Sequence, residues 1–163
     1  MNNTYDFIVI GAGISACTFA SALNNRFPDK SILLIEQGSR IGGRSTTRQS
    51  RKDIFLEFDH GLPALSFSKD ISQDLYRLIS PMIQSKILID ITKDILMINE
   101  FGKISELSIS QNIYRCLPFM INFCDELINR SINPDMVNFL FQTVAISIIR
   151  KNGLWELRTN NQR

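Results

Sequence analysis

An apolar strand running into Gly-Ala-Gly close to the first methionine constrains this chain more than anything after it. Residues 7–10, Phe-Ile-Val-Ile, have the unbroken apolar character of a buried strand, and Gly11-Ala12-Gly13-Ile14-Ser15-Ala16 follows at once. Gly11 permits a backbone conformation that a β-carbon resists, and Gly13 leaves room for a pyrophosphate against the main chain. Ala16, in the third glycine position, is small enough for close helix–strand packing. The helix that begins here presents unpaired N–H groups and the positive end of its dipole to an anion. A second strand, residues 31–35, ends at Glu36, which lies 23 residues beyond Gly13. An acid roughly 20 residues past the turn is what accepts ribose hydroxyls in a dinucleotide-binding βαβ unit. The alternative is a βαβ unit, residues 5–36, whose glycines serve packing alone.

A second glycine turn follows Glu36 and Gln37: Arg40-Ile41-Gly42-Gly43-Arg44-Ser45-Thr46-Thr47. Paired glycines give an open backbone, and an arginine beside them can fork onto phosphate or ribose oxygens. A simple nicotinamide-binding unit has no need of it. Taken with Asp59-His60-Gly61 further on, the order of motifs resembles the flavin-containing amine oxidase and renalase-like group of FAD-dependent oxidoreductases. The resemblance implies a Rossmann-like FAD-binding fold, a parallel sheet with helices plus small antiparallel hairpins. It places FAD against Gly11, Gly13, Ile14, Ser15 and Ala16, the adenosine ribose at Glu36 and Gln37, and the outer cofactor edge at Arg40, Gly42, Gly43 and Arg44. His60 and Gly61 then lie in the turn where the backbone of such proteins approaches the flavin ring. The other reading of Arg40 and Arg44 is as solvated loop charges.

Composition narrows the partners. With 18 Lys and Arg against 16 Asp and Glu, the formal net charge is only +2, which argues against nucleic acid or an anionic membrane surface. No segment offers about 18 uninterrupted apolar residues, so no membrane span is expected. The apolar N-terminus reads as the glycine fingerprint rather than as a signal peptide: it lacks a positive start, carries Asp6 before the apolar run, and is broken by Gly11 and Gly13. Cys17, Cys116 and Cys124 have no metal-binding spacing, and a single histidine excludes a two-histidine metal site or a Ser-His-Asp triad. The expectation is a cytoplasmic protein with reduced, buried thiols, no metal, and one core rather than two full domains.

Along the chain, residues 46–49 and 55–58 read as short strands about a polar turn, and residues 66–72 as a polar stretch. Leu75, Leu78, Ile79, Met82 and Ile83 recur at helical spacing, interrupted by Pro81. Residues 87–91 and 95–98 look like strands around Thr92-Lys93-Asp94. Pro118 suits the first turn of a helix carrying Met120, Ile121, Cys124, Leu127 and Ile128 on one face. Residues 136–150 form a long β-branched and aromatic run, and Lys151-Asn152-Gly153 turns it back into residues 154–159, so a hairpin over 137–159 is expected. Apolar residues of this half are expected to be core. By the resemblance, Val144 would offer its backbone to adenine; otherwise it is a buried valine in a surface hairpin.

His60 is a candidate proton carrier or simply a turn residue. The resemblance carries Ala-Gln-Tyr after the Asp-x-Gly turn, but here Leu62-Pro63-Ala64-Leu65 stands there, which puts oxidase-like activity in doubt. Asp90, Asp94 and Glu100 look like hairpin charges, and no catalytic residue is assigned. None is required of a flavoprotein, whose ring takes the hydride itself. Related proteins continue past the point matching Arg163 into a substrate-binding domain, so the expectation is an N-terminal cofactor half with that domain absent. A complementing chain or a missing C-terminal half would complete it. The leading function is an FAD-dependent oxidoreductase acting on an amine or a reduced nicotinamide. A nicotinamide-dependent dehydrogenase domain and a non-catalytic dinucleotide-binding remnant are the alternatives.

Overall fold

The computed structural model describes residues 4–53, 55–106 and 110–160. In chain order its elements are β1 (Phe7–Ile10), α1 (Ile14–Arg26), β2 (Ile32–Ile35), β3 (Thr47–Gln49), β4 (Glu57–Asp59), β5 (Leu65–Ser68), α2 (Gln73–Gln84) and β6 (Leu88–Asp90). They continue with β7 (Leu96–Ile98), β8 (Ile104–Glu106), β9 (Gln111–Cys116), α3 (Ile121–Asn129), β10 (Val137–Leu140), β11 (Ala145–Lys151) and β12 (Leu154–Thr159). The chain divides into two compact units: residues up to 46 together with those from 124 on, and residues 47–123.

The first unit is α/β. Its sheet has the order β1-β2-β10, all parallel, with Phe7 and Val137 both opposite Ile32. Strand β2 lies in the middle and is buried along its whole length, which is why it reads as Ile-Leu-Leu-Ile without alternation. Helix α1 buries Cys17, Ala20, Ser21 and Asn24, a stripe at i, i+3, i+4 and i+7 made of small side chains. Asn24 is polar and fully buried, yet satisfied. Its Nδ2 donates to the Asn133 carbonyl and its Oδ1 accepts the Asn133 N–H, both at 2.8 Å. That reciprocal pair ties the loop entering β10 to α1.

At the start of β1, the Asp6 carboxylate accepts from Lys30 Nζ, the Ser31 N–H and the Ser31 hydroxyl, each at 2.9 Å. The Lys30 bond above all, then those from Ser31, hold its pKa down at about 2. A carboxylate whose folded pKa lies below its unfolded value of about 3.9 adds stability above that value and loses it as pH falls. Asp6→Asn should therefore lower the melting temperature at neutral pH, with the difference disappearing as pH falls from about 4 to about 2. Melting curves across that range check it; a difference independent of pH would assign the effect to something other than the carboxylate charge.

The β-rich run at 136–150 is not one strand of a hairpin. It is divided at residues 141–144, where Gln142 takes φ +53°. There the Gln142 N–H donates to the Gly38 carbonyl at 2.8 Å and the Thr143 N–H to the Glu36 carbonyl at 3.0 Å. Residues 137–140 join the parallel sheet, and only β11 and β12 form the hairpin, with Asn152 and Gly153 at φ +51° and +80°. β-propensity shows that a segment is extended, but not which strand will be its neighbour.

The second unit has an antiparallel sheet of order β5-β9-β6 and two ribbons, β3–β4 and β7–β8. Its buried side chains include Leu65, Ile79, Met82, Leu88, Cys116 and Met120. Part of the polar stretch at 66–72 is strand: residues 66–68 belong to β5. Pro81 does not interrupt α2 but sits inside it, three residues before its end, where little helix remains to lose a donor. Strands β6 and β7 do not pair with each other; β6 joins β9 and β7 joins β8. Pro118 precedes α3 instead of occupying its first turn. Nor is the apolar half all core: Phe101 is 84% exposed, Trp155 67% and Ile146 66%. No helix among the described residues is long and apolar enough to cross a membrane.

Candidate functional site

In the first unit the two glycine turns, far apart in sequence, lie against each other. The Gly42 N–H donates to the Ala12 carbonyl at 2.8 Å, and Gly13 and Gly42 form an isolated parallel bridge. A β-carbon on Gly43 would stand 3.2 Å from the Gly13 Cα, and Gly43 has φ +56°, so glycine is required there on two counts. Gly11, at φ +99°, turns the chain off β1, and a β-carbon on it would meet nothing within 4 Å. Its N–H is tied back to the Ile35 carbonyl at 2.7 Å. The first helical bond of α1 runs from the Cys17 N–H to the Gly13 carbonyl at 2.9 Å. No side chain caps this end of α1, and no acid stands in its first turn. The N–H groups of Ile14, Ser15 and Ala16 and the positive helix end are therefore available to an anion.

Glu36 sits at the tip of β2 and does more than the sequence reading asked of it. Its Oε2 accepts the Ala12 N–H at 2.9 Å and its Oε1 accepts the Gly38 N–H at 2.7 Å. The carboxylate thus clamps the first glycine turn to the loop that leads into the second. Gly38 escaped notice in the sequence, although it follows the acid by two residues. A β-carbon there would lie 3.1 Å from Glu36 Oε1, so glycine makes room for the carboxylate. Gln37, Arg40 and Arg44 are exposed beside this clamp, with Arg44 in a single 3-10 turn over residues 43–45.

Val144 is brought next to this region, because the Gln142 and Thr143 N–H groups bond the carbonyls of Gly38 and Glu36. It is exposed, in contrast to a buried hairpin valine. Both of its backbone groups are engaged by Asn160: Oδ1 accepts the Val144 N–H at 2.9 Å, and the Asn160 N–H donates to the Val144 carbonyl at 3.1 Å. An adenine edge at Val144 has to displace that asparagine.

His60 and Gly61 belong to the second unit, where they follow β4. Asp59 Oδ1 accepts from the Thr47 hydroxyl at 2.8 Å and from the Met120 N–H at 2.9 Å, which fixes the turn from behind. His60 itself is exposed and Gly61 has φ +109°. Among the described residues no three His, Cys, Asp or Glu side chains gather as a metal site. Asp90 spends its carboxylate on the Thr92 N–H and hydroxyl, a turn role rather than acid–base work.

The family model for the NAD(P)-binding Rossmann-like domain matches residues 9–80. (S)-6-hydroxynicotine oxidase of Paenarthrobacter nicotinovorans is 47% identical over 57 residues, which is 35% of this chain and 13% of that protein. Among solved structures, a protein assigned as a protoporphyrinogen oxidase from Exiguobacterium sp. 255-15 superposes with a TM-score of 0.65 at 14% identity. The match covers 98% of this chain and 57% of that one. OTEMO in complex with FAD and NADP gives a TM-score of 0.51 at 16% identity, covering 100% of this chain and 24% of that one. The chain thus spans only part of the proteins it resembles. Its fold is that of a Rossmann-like NAD(P)/FAD-binding domain.

Proposed function

We propose that the chain binds FAD and is the cofactor-binding part of a flavin-dependent oxidoreductase. The observation that carries this reading is the locked pair of glycine turns, closed by the Glu36 carboxylate over an uncapped helix end. Gly11, Gly13, Ile14, Ser15 and Ala16 take the pyrophosphate on main-chain N–H groups. Glu36, beside Gln37, accepts the ribose hydroxyls with the carboxylate lone pairs left over from its two backbone bonds. Arg40 and Arg44, with Gly42 and Gly43, offer charge and open backbone to the outer edge of the cofactor. Val144 reads the adenine edge once Asn160 has moved away.

When bound, the flavin supplies the hydride acceptor, so this chain needs no nucleophile of its own. An amine or a reduced nicotinamide is the substrate class that the resemblance suggests. The short match to (S)-6-hydroxynicotine oxidase supports the oxidase side of that choice. Titration of the folded protein with FAD and with NAD, followed by flavin fluorescence and calorimetry, decides the cofactor. FAD is expected to bind at least about tenfold more tightly, a difference of about 1.4 kcal/mol. Preference for NAD would replace this reading with a nicotinamide-binding one.

A further inference from the structure

Strands β11 and β12 pair only with each other, so the hairpin they form in the first unit has two free edges. A two-stranded ribbon alone is marginally stable in water and gains from strands added to it. The two edges differ in what they offer. β11 carries Arg150 and Lys151 with no acid, and its ladder is irregular between Ala145 and Ser147. Cations and a bulge are devices that keep an edge from pairing. β12 has neither a proline nor an irregularity, and Glu156 and Arg158 flank Leu157 on it. Both charged side chains are exposed, and neither has an ion-pair partner among the described residues. The turn fixes which backbone groups face outward. Lys151 and Leu154 close the Asn152-Gly153 turn as a hydrogen-bonded pair, and Ile149 with Glu156 repeats it two residues on. Leu154 and Glu156 therefore spend their N–H and C=O on β11, whereas those of Trp155 and Leu157 point out of the edge. Among the described residues no other backbone group takes them up.

We propose that the outer edge of β12 pairs antiparallel with the same edge of a second copy of this chain, across a twofold axis at Leu157. Two hairpins then join into one four-stranded sheet. The charges select this register. Outward-facing residues must meet outward-facing residues, so the axis can move along β12 only in steps of one residue. With the axis at Leu157, Glu156 stands opposite the partner's Arg158, and Arg158 opposite the partner's Glu156. Both are non-hydrogen-bonded pairs, in which side chains approach most closely. With the axis one residue earlier or later, Glu156 meets the partner's Glu156, or Arg158 the partner's Arg158. Like charges directly opposite destabilise a strand pair. Leu157 lies opposite Ile148 within the hairpin, and Ile148 is 52% exposed, so the junction also closes an apolar row across all four strands. Exposed ion pairs contribute little on their own, so the ladder and this row supply the association and the charges set its register. Thr159 is buried, which ends the free edge and keeps the junction short, so the dimer is a weak one.

The test is sedimentation velocity of the full chain over about 1 to 100 µM, the range in which a small interface dissociates. A monomer–dimer equilibrium is expected. Glu156→Arg and Arg158→Glu should each be monomeric alone, because each sets like charges against each other across the axis. Mixed in equal amounts, the two variants should associate as a heterodimer, which also shows that both fold. The double exchange Glu156→Arg/Arg158→Glu should restore the homodimer. A wild-type chain that stays monomeric throughout, dimers that survive either single reversal, or single variants that fail to associate when mixed would each overturn the proposal.

Discussion

Gly13→Val is expected to abolish FAD binding while the protein still folds. The physical case starts from what a side chain at this position would meet. Gly13 has φ −79° and ψ 179°, an ordinary extended conformation, so a β-carbon costs no backbone strain. It would stand 3.9 Å from the Gly42 carbonyl oxygen and from the Gly43 Cα, which is normal contact. What it fills is the space over the start of α1, where a pyrophosphate reaches the main chain. Alanine there should weaken FAD by about 1–3 kcal/mol, the usual cost of forcing extra carbon into a closed fit, and the branched valine should remove binding altogether. Melting followed by circular dichroism should show a loss of only about 1 kcal/mol in the alanine protein, the cost of replacing glycine by the less favoured alanine at a helix N-cap. Gly43→Ala supplies the contrast. Its left-handed φ and its 3.2 Å approach to the Gly13 Cα should destabilise the unit even without cofactor. Flavin retained at wild-type strength by Gly13→Val would mean that the turn is structural and the pyrophosphate lies elsewhere.

The contrast between these two glycines also marks what a sequence can and cannot disclose. The βαβ unit was legible because its signals are local: a four-residue apolar strand, a glycine turn, a helix, a second strand and an acid at the right separation. The second turn was legible for the same reason. Their mutual contact was not, because the Gly13–Gly42 bridge joins residues whose proximity no periodicity encodes. Residues 137–140 show the limit most plainly. Their apolar alternation suits a hairpin as well as a parallel strand, and what decides is the Asn24–Asn133 pair together with the Gly38 and Glu36 carbonyls. Asparagines and bare carbonyls carry no pattern that a one-dimensional reading can weigh. The pairing of the second unit was hidden for a related reason. Strands β5 and β9 are short, and Gln111 at the start of β9 lies 43 residues beyond Ser68 at the end of β5, so their pairing is invisible until the chain is folded.

Glu36→Ala is expected to damage the site twice, in the absence of cofactor and in its presence. Without cofactor, removal of the carboxylate leaves the N–H groups of Ala12 and Gly38 without the oxygens that now accept them at 2.9 and 2.7 Å. Ala12 is fully buried, so its N–H cannot turn to water without disturbing the turn. An orphaned buried donor costs about 1–3 kcal/mol, and the melting temperature of the free protein should fall accordingly. With cofactor, loss of the charged acceptor for the ribose hydroxyls should weaken FAD by a further about 1–3 kcal/mol. Glu36→Gln separates the two effects. Its amide keeps one carbonyl oxygen but turns the other acceptor into a donor, so one of the two backbone N–H groups must lose its partner. Intermediate stability and clearly weaker FAD binding are expected from it. Adenosine diphosphate measured alongside FAD localises the loss: both ligands carry the ribose, so both should weaken by the same factor. If the two substitutions lower stability but leave both affinities unchanged, Glu36 is a clamp for the glycine turns and not a ribose acceptor.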